Sequence, residues 1–183
     1  NSSFKGEVSF RPYFQFNLDI ELSKIDIKRL FLIIQKNYFS NNPQELKLIK
    51  KINGVLNFKS MFGGNVIFKN REILFKNFKI GKDNPIFFDA NISEFGRKGK
   101  IKFNLKKNIQ NKNNISKDVK ISGFIVPLSS KVNFEQVLLD KEIFTDEKIK
   151  RYEKKFQKEV INKSLVNIFD YSKINNFFKN FIN

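Results

Sequence analysis

The sequence contains no cysteine and no histidine, and both absences exclude whole classes of chemistry. Without cysteine there are no disulfide bonds and no thiolate nucleophile. Without histidine the chain lacks the usual general base of hydrolytic triads and the most common zinc ligand. No glycine-rich phosphate loop is present, because Gly63 and Gly64 are not followed by Lys-Ser or Lys-Thr. The sequence therefore predicts a protein that is not an enzyme and that uses no cofactor and no metal.

Long apolar runs are absent as well. The longest, residues 30–34, is much shorter than the roughly 20 residues that a membrane-spanning helix needs. No signal peptide is recognisable, and the chain begins at Asn1 without a methionine and enters a strand pattern at Phe4. We therefore expect the chain to be the C-terminal piece of a longer protein whose targeting segment lies upstream.

Basic residues and phenylalanine are abundant instead: the 35 Lys and Arg exceed the 18 acidic residues by 17, and 23 residues are Phe. A charge of this sign favours an anionic partner, either nucleic acid or a phospholipid surface. The lysine–aromatic runs at residues 76–79 and 100–103 are superficially typical of nucleic-acid stacking platforms. Their Phe78 and Phe103, however, share the parity of the apolar residues, and the lysines occupy the polar positions. Nucleic acid is therefore the alternative partner and not the expected one.

The central part of the chain alternates between apolar and polar residues. Ile86, Phe88, Ala90 and Ile92 share one parity, and the same period of two recurs from Ile101 onwards. This period places each set on one face of a strand. Breaks rich in Gly, Asn and charge divide the region into predicted strands at 52–60, 65–69, 72–80, 85–93 and 98–106.

Other elements follow from the same patterns. Strands are predicted near 5–10 and 14–22, and a last one at 119–125 before Pro127, with a polar loop at 107–117. Because Phe75 and Phe78 differ in parity, a bulge or strand boundary is expected between them. Two short helices are predicted before the central strands, one capped by Asp26 and one after Pro43.

Beyond Thr145 the apolar period changes to three and four residues, which predicts a helix with Thr145 as its N-cap and acidic residues in its first turn. A further apolar cluster at 165–181 predicts additional amphipathic turns. The predicted fold is therefore mainly β: a curved antiparallel meander or groove over residues 1–134, with short helices near its N-terminus, and an amphipathic helical segment over residues 145–183.

Several stretches resemble the C-terminal region of the AsmA-like family, bacterial envelope proteins of the AsmA/TamB/YhdP type. They are FQFNLDIELSKIDIKRL at 14–30, INGVLNF at 52–58, FKNFKIG at 75–81, IFFDANI at 86–92 and GKIKF at 99–103. The resemblance implies a Gram-negative envelope protein anchored in the inner membrane by an upstream helix. It also implies a periplasmic β-sheet groove that carries phospholipids towards the outer membrane.

The apolar face of the predicted sheet has two interpretations. It is either closed core beneath the C-terminal helix or partly an open groove for phospholipid acyl chains. On the second interpretation the helix caps one end of the sheet through Tyr152, Phe156 and Val160. The groove-lining candidates are Phe58, Phe75, Phe88, Ile92, Ile101, Phe103 and Ile121.

The sequence thus favours a non-enzymatic, lipid-handling or envelope-maintenance segment, located in the periplasm and anchored to the inner membrane through chain that is not present here. Its expected partners are phospholipid acyl chains and, through the upstream anchor, the membrane. Two alternatives remain open: a basic nucleic-acid-binding module, and a β-scaffold that docks a protein partner through its C-terminal helix.

Overall fold

Ten strands form one open, curved sheet in which the spatial order of the strands equals their order along the chain. The computed structural model describes residues 3–10, 14–21, 29, 32, 52–59, 63–69, 72–92, 100–110 and 115–182. The strands are β1 Ser3–Ser9, β2 Phe14–Glu21, β3 Ile52–Phe58, β4 Gly64–Lys69, β5 Glu72–Ile80, β6 Ile86–Ile92, β7 Ile101–Gln110, β8 Ser116–Val126, β9 Lys131–Leu139 and β10 Glu142–Ile143.

Neighbouring strands pair antiparallel except for β2 and β3, which are parallel. The predicted mainly β fold with a curved, mostly antiparallel sheet is confirmed, and the parallel pair β2–β3 makes the sheet mixed. A tight hairpin cannot join parallel strands, so residues 22–51 return the chain from the end of β2 to the start of β3. The two predicted short helices fall in this stretch and lie outside the described residues, apart from Arg29 and Leu32, which are helical.

The register aligns apolar residues in rows that cross the sheet. Since side chains alternate between the faces along a strand, directly paired residues lie on the same face. One such row crosses nine strands and contains only apolar residues and glycine: Gly6, Leu18, Leu56, Val66, Phe75, Ala90, Phe103, Gly123 and Phe134. We call the side that carries these rows the apolar face and the opposite side the polar face.

The C-terminal segment covers one part of the apolar face. It comprises helix α1 (Asp146–Phe156), a π-helical turn (Gln157–Ile161), a 3-10 turn (Leu165–Phe169) and helix α2 (Tyr171–Lys179). Thr145 is the N-cap residue of α1, as the sequence predicts. Aromatic rings interlock at the interface, with centroid distances of 5.3 Å for Phe134–Phe156 and 5.1 Å for Phe88–Phe169. Sheet and helices thereby share one hydrophobic core.

Two polar side chains fasten α1 and the following turn to β9. The backbone N–H of Phe134 donates to a carboxylate oxygen of Glu153 at 2.7 Å. The side chain of Gln157 accepts from the N–H of Val132 at 3.0 Å and donates to the carbonyl of Ser130 at 2.8 Å. These bonds satisfy backbone groups of β9 and of Ser130, just before it, that would otherwise be poorly solvated beneath the helix.

The register shift of β5 confirms the irregularity expected between Phe75 and Phe78. Asn77 adopts a positive φ of 57° within it, and its N–H donates to Asp89 Oδ1 at 2.7 Å. The bulge returns Phe78 to the apolar face, where it contacts Phe75 at a centroid distance of 5.5 Å. A single inserted residue thus keeps both rings in the core.

Two sequence predictions at the end of the sheet are wrong. The segment 107–117 is not a loop throughout, because β7 continues to Gln110 and β8 begins at Ser116. Ile109 is buried there, and Asn108 donates to Asp118 across the strand pair at 2.9 Å, so polar cross-strand bonds replace a clear apolar pattern.

Nor is β8 the last strand. A register shift in β9 changes the parity between Phe134 and Val137 and hides its alternation.

Candidate functional site

The seven groove-lining candidates lie in closed core. Their exposed fractions are 0–8%, and neighbouring protein side chains occupy the space above them. Phe88 lies under Phe169 of the C-terminal segment, and Phe103 contacts Phe134 at a centroid distance of 6.3 Å. The expectation that these positions line an open groove is therefore corrected, because all seven are buried in the core that the sheet and the helical segment share. The seven are Phe58, Phe75, Phe88, Ile92, Ile101, Phe103 and Ile121.

The three predicted cap residues do face the core. Phe156 and Val160 are fully buried, and Tyr152 is half-buried. Tyr152 stacks on Phe181 with ring centroids 4.3 Å apart, and its hydroxyl donates to the Asn180 carbonyl at 3.3 Å. The apolar side of α1 is thus occupied within the chain.

The apolar face is open at the other end of the sheet. The apolar side chains of β1 are exposed, with Phe4 67% and Val8 46% exposed, and Phe10 just beyond the strand is 76% exposed. The helices contact chiefly β9 and β7. We define the open apolar face by eight residues: Phe4, Val8, Phe10, Phe14, Phe16, Leu18, Leu56 and Phe68.

Aromatic rings make the open apolar face continuous. Centroid distances are 5.5 Å for Phe10–Phe14, 5.7 Å for Phe14–Phe16 and 5.6 Å for Phe16–Phe68. Gly54 lies opposite Phe16 on the neighbouring strand and has no side chain, which leaves room for the Phe16 ring. A Cβ at position 54 would lie 2.6 Å from that ring. The alternation of 14–22 indicated an apolar side here. What sequence reasoning missed was which part of the face the helices leave uncovered.

No charged side chain lies on the apolar face of β1–β4. The charges are held on the polar face, where Lys59 pairs with Asp19 at 2.6 Å and Asn57 donates to Asp19 at 3.0 Å. The hydrogen bonds from Lys59 and Asn57 hold the pKa of Asp19 below its usual value. A depression of about 600 Å³ lies beside them, and five of its eight lining residues, Glu7, Ser9, Gln15, Asn17 and Asn53, belong to the polar face.

The polar face of β5–β8 carries lysines around two phenylalanines. Lys79, Phe87, Lys106 and Lys120 form one row across the four strands. Phe87 is 39% exposed. In a second place, Lys100 and Lys102 hold their Nζ atoms 5.5 and 5.7 Å from the centroid of Phe124. These rings differ from the ones that the sequence runs suggested, because Phe78 and Phe103 are buried.

Lys107 is a buried lysine at the margin of the core. Its ammonium donates to the Asn84 carbonyl at 2.8 Å and lies 5.4 Å from the centroid of the Tyr171 ring. Burial, together with repulsion from Lys179, lowers the pKa of Lys107 to about 8. Sequence reasoning placed this residue in a polar loop and so did not identify it.

Comparison with protein-family models, with curated proteins and with solved structures gives no match to this chain. Within the described ranges, no helix is long and apolar enough to cross a membrane. In the same ranges, no three carboxylates are grouped closely enough to hold a metal ion.

Proposed function

We propose that the chain is a non-enzymatic, lipid-handling segment of an AsmA-like envelope protein, which holds phospholipid acyl chains on the open apolar face. The observation that carries this proposal is the uninterrupted, charge-free surface of β1–β4, which continues the buried core without a break. Exposed apolar surface of this continuity is typical of binding sites.

The physical driving force is the removal of apolar surface from water. Each methylene buried against the rings contributes about 0.8 kcal/mol, so a long acyl chain needs no directional contact to be retained. The rings of Phe10, Phe14, Phe16 and Phe68 form a continuous series of ring contacts against which an acyl chain can lie. A phosphate headgroup would remain at the rim, where the chain's excess of lysine is favourable.

The resemblance to the AsmA-like family supports the remaining parts of the proposal. On that basis the segment acts in the periplasm and belongs to a protein anchored in the inner membrane by upstream chain. Phospholipids moving towards the outer membrane are then the cargo. We place the acyl-chain site on the open apolar face of β1–β4, whereas the sequence predicted most of its lining residues on the central strands.

A test places the same charge on either face of β2. Phe16→Asp introduces a carboxylate on the open apolar face, and the matched control Gln15→Asp introduces one on the polar face of the same strand. We expect the unaltered chain and the control to bind fluorescent phosphatidylglycerol presented in vesicles. The Phe16→Asp variant should remain folded, because its side chain is only half-buried and the carboxylate can reach water, and it should lose most of this binding.

Lipid extraction after native purification provides the second readout, with mass spectrometry to identify co-purified phospholipid. The proposal is overturned if the unaltered chain neither retains nor takes up phospholipid. Equal binding by the Phe16→Asp variant would also contradict it, because the lipid would then lie elsewhere.

Single-stranded nucleic acid is a second candidate ligand, favoured by Phe87 and Phe124 among the lysines of the polar face. Sheet faces that present aromatic rings and cations bind bases by stacking. If the lysines are only a solvated exterior, binding will be weak and will collapse steeply as salt rises. Binding that survives physiological salt and is lost in Phe87→Ala would favour the nucleic-acid function over the lipid one.

A further inference from the structure

Four strands in the middle of the sheet carry a row of cations on their polar face. The register places Lys79 of β5, Phe87 of β6, Lys106 of β7 and Lys120 of β8 opposite one another, and all four residues are exposed. We call these four residues the lysine row. At a strand spacing of about 4.8 Å the row extends over roughly 14 Å. It therefore holds three positive charges within a short distance of one another.

The charges of the lysine row have almost no partners within the chain. Lys106 and Lys120 are directly opposed, and like charges in such positions destabilise a sheet. Asp89 Oδ2 lies 4.0 Å from Lys106 Nζ, and the other carboxylate oxygen of Asp89 accepts the N–H of Asn77. Neither Lys79 nor Lys120 forms an ion pair with a described residue. An anion from outside the chain would offset this repulsion.

A second group of lysines widens the cationic surface. Lys100 and Lys102, at the start of β7, hold their Nζ atoms over the ring of Phe124, at 5.5 and 5.7 Å from its centroid. Lys102 precedes Lys106 by four residues, which corresponds to about 14 Å along the strand. The cations are therefore spread over an area and do not follow a single line.

We infer that this cationic surface, the lysine row together with Lys100, Lys102 and Phe124, docks on a phospholipid bilayer that contains anionic headgroups. Lysines close to such a bilayer are attracted to its negative surface potential. Phe87 is 39% exposed in the middle of the row, and an apolar ring among lysines suits the boundary between headgroups and acyl chains. The inference does not rest on the acyl-chain site, because it uses the opposite face of the sheet.

A bilayer fits this surface better than a single nucleic-acid strand does. Phe87 and Phe124 lie two strands apart and in rows four residues apart, so roughly 17 Å separates their positions. Stacked nucleotides follow one another at about 3.4 Å, so the two rings cannot stack neighbouring bases. Arginine, whose planar fork binds phosphate with two hydrogen bonds, does not occur among the described residues of β5–β8.

The first test compares two triple variants that lose the same charge. The two sets are Lys79→Gln, Lys106→Gln and Lys120→Gln in the lysine row, and Lys150→Gln, Lys154→Gln and Lys158→Gln at exposed positions of the C-terminal segment, on the other side of the sheet. We measure cosedimentation with phosphatidylglycerol vesicles at physiological salt. The lysine-row variant should bind at least about tenfold more weakly than the unaltered chain, and the control variant less than about threefold more weakly. Phosphatidylcholine vesicles, which carry no net charge, should bind none of the three proteins.

A tryptophan reporter locates the contact, because the natural chain has no tryptophan. Phe87→Trp places an indole in the middle of the lysine row, and Lys154→Trp places one on the exposed side of α1. Phosphatidylglycerol vesicles should shift the emission of the Phe87→Trp variant to shorter wavelength, because the ring leaves water. The emission of the Lys154→Trp variant should not change.

The acyl-chain site is measured separately, as labelled lipid that leaves the vesicles and remains with the chain in the supernatant. Phe16→Asp should lose this uptake and still cosediment with phosphatidylglycerol vesicles. The lysine-row variant should lose cosedimentation. A failure of the acyl-chain site is thus distinguishable from a failure of the docking surface.

Four results would overturn the inference. An unaltered chain that does not cosediment with phosphatidylglycerol vesicles has no such docking surface. Equal weakening in both triple variants would show that only the net charge matters. Unshifted emission of the Phe87→Trp variant on vesicles that bind the chain would place the contact elsewhere. An oligothymidylate that displaces the vesicles, and whose binding requires the lysine row, would assign the surface to nucleic acid.

Discussion

At the residue scale, Lys107 is the clearest exception to the division between faces, because it is charged and yet lies on the apolar one. It follows Leu105 in β7, where the pattern calls for an apolar residue, and it is 4% exposed. Its hydrogen bond to the Asn84 carbonyl and its position over Tyr171 fix α2 against the turn between β5 and β6. The lysine tolerates burial because its long apolar stem packs in the core while the ammonium reaches a carbonyl.

The lowered pKa predicts a particular pH dependence. The pKa of Lys107 is about 8 in the folded chain and 10.5 for an ordinary lysine. Between pH 8 and pH 10.5 the unfolded chain therefore binds more protons than the folded chain. The free energy of unfolding should therefore rise with pH from about 8 to about 10.5. Below about pH 8, where Lys107 is protonated in both states, this group should add no pH dependence. After discounting for solvent screening, we expect a gain of the order of 1–2 kcal/mol.

Urea unfolding at pH 7.5 and pH 10 measures this gain, and Lys107→Met is the matched variant because it retains the apolar stem. The variant should lose the additional rise, and at pH 7.5 it should be at least as stable as the unaltered chain, since no charge is buried. An identical pH response in both proteins would show that Lys107 does not titrate in this range.

At the element scale, α1 is bound to the sheet by both an apolar side and a polar one. Phe156 inserts between Phe134 and Phe177, with centroid distances of 5.3 and 4.9 Å, and Glu153 and Gln157 bond to β9. Phe156→Ala should therefore cost about 3–5 kcal/mol of unfolding free energy, the usual range for a buried Phe. Chemical denaturation measures this loss.

Lys154→Ala is the control on the exposed side of the same helix, and we expect its effect to stay within about 0.5 kcal/mol. A similarly small effect of Phe156→Ala would mean that the helix face is free in solution. In that event the docking of a protein partner through the C-terminal helix would gain support.

At the scale of the whole molecule, one continuous apolar face is closed at one end and open at the other. The same substitution should therefore have opposite outcomes at the two ends. Phe88→Asp places an unpaired carboxylate in closed core, at a cost of several kcal/mol, which is comparable with the roughly 5–15 kcal/mol stability of a domain. Phe16→Asp leaves its carboxylate within reach of water and should remain folded.

Circular dichroism and thermal unfolding of the two variants measure this difference. We expect Phe88→Asp to unfold and Phe16→Asp to keep a cooperative transition. Unfolding of both variants would show that β1–β4 are covered in solution as completely as the central strands, and the lipid proposal would lose its site.

The sequence by itself determined the class of fold, the faces of the strands and the C-terminal helix. Strand alternation and helical spacing are local signals, and even the bulge between Phe75 and Phe78 is visible as a change of parity. The tertiary structure alone decided three things: the parallel pairing of β2 with β3, the membership of β9 in the sheet, and the strands that the helices cover. These depend on contacts between distant segments, which an alternating pattern does not encode. Phe16 and Phe88 therefore look alike in sequence, and only packing against Phe169 makes one of them core.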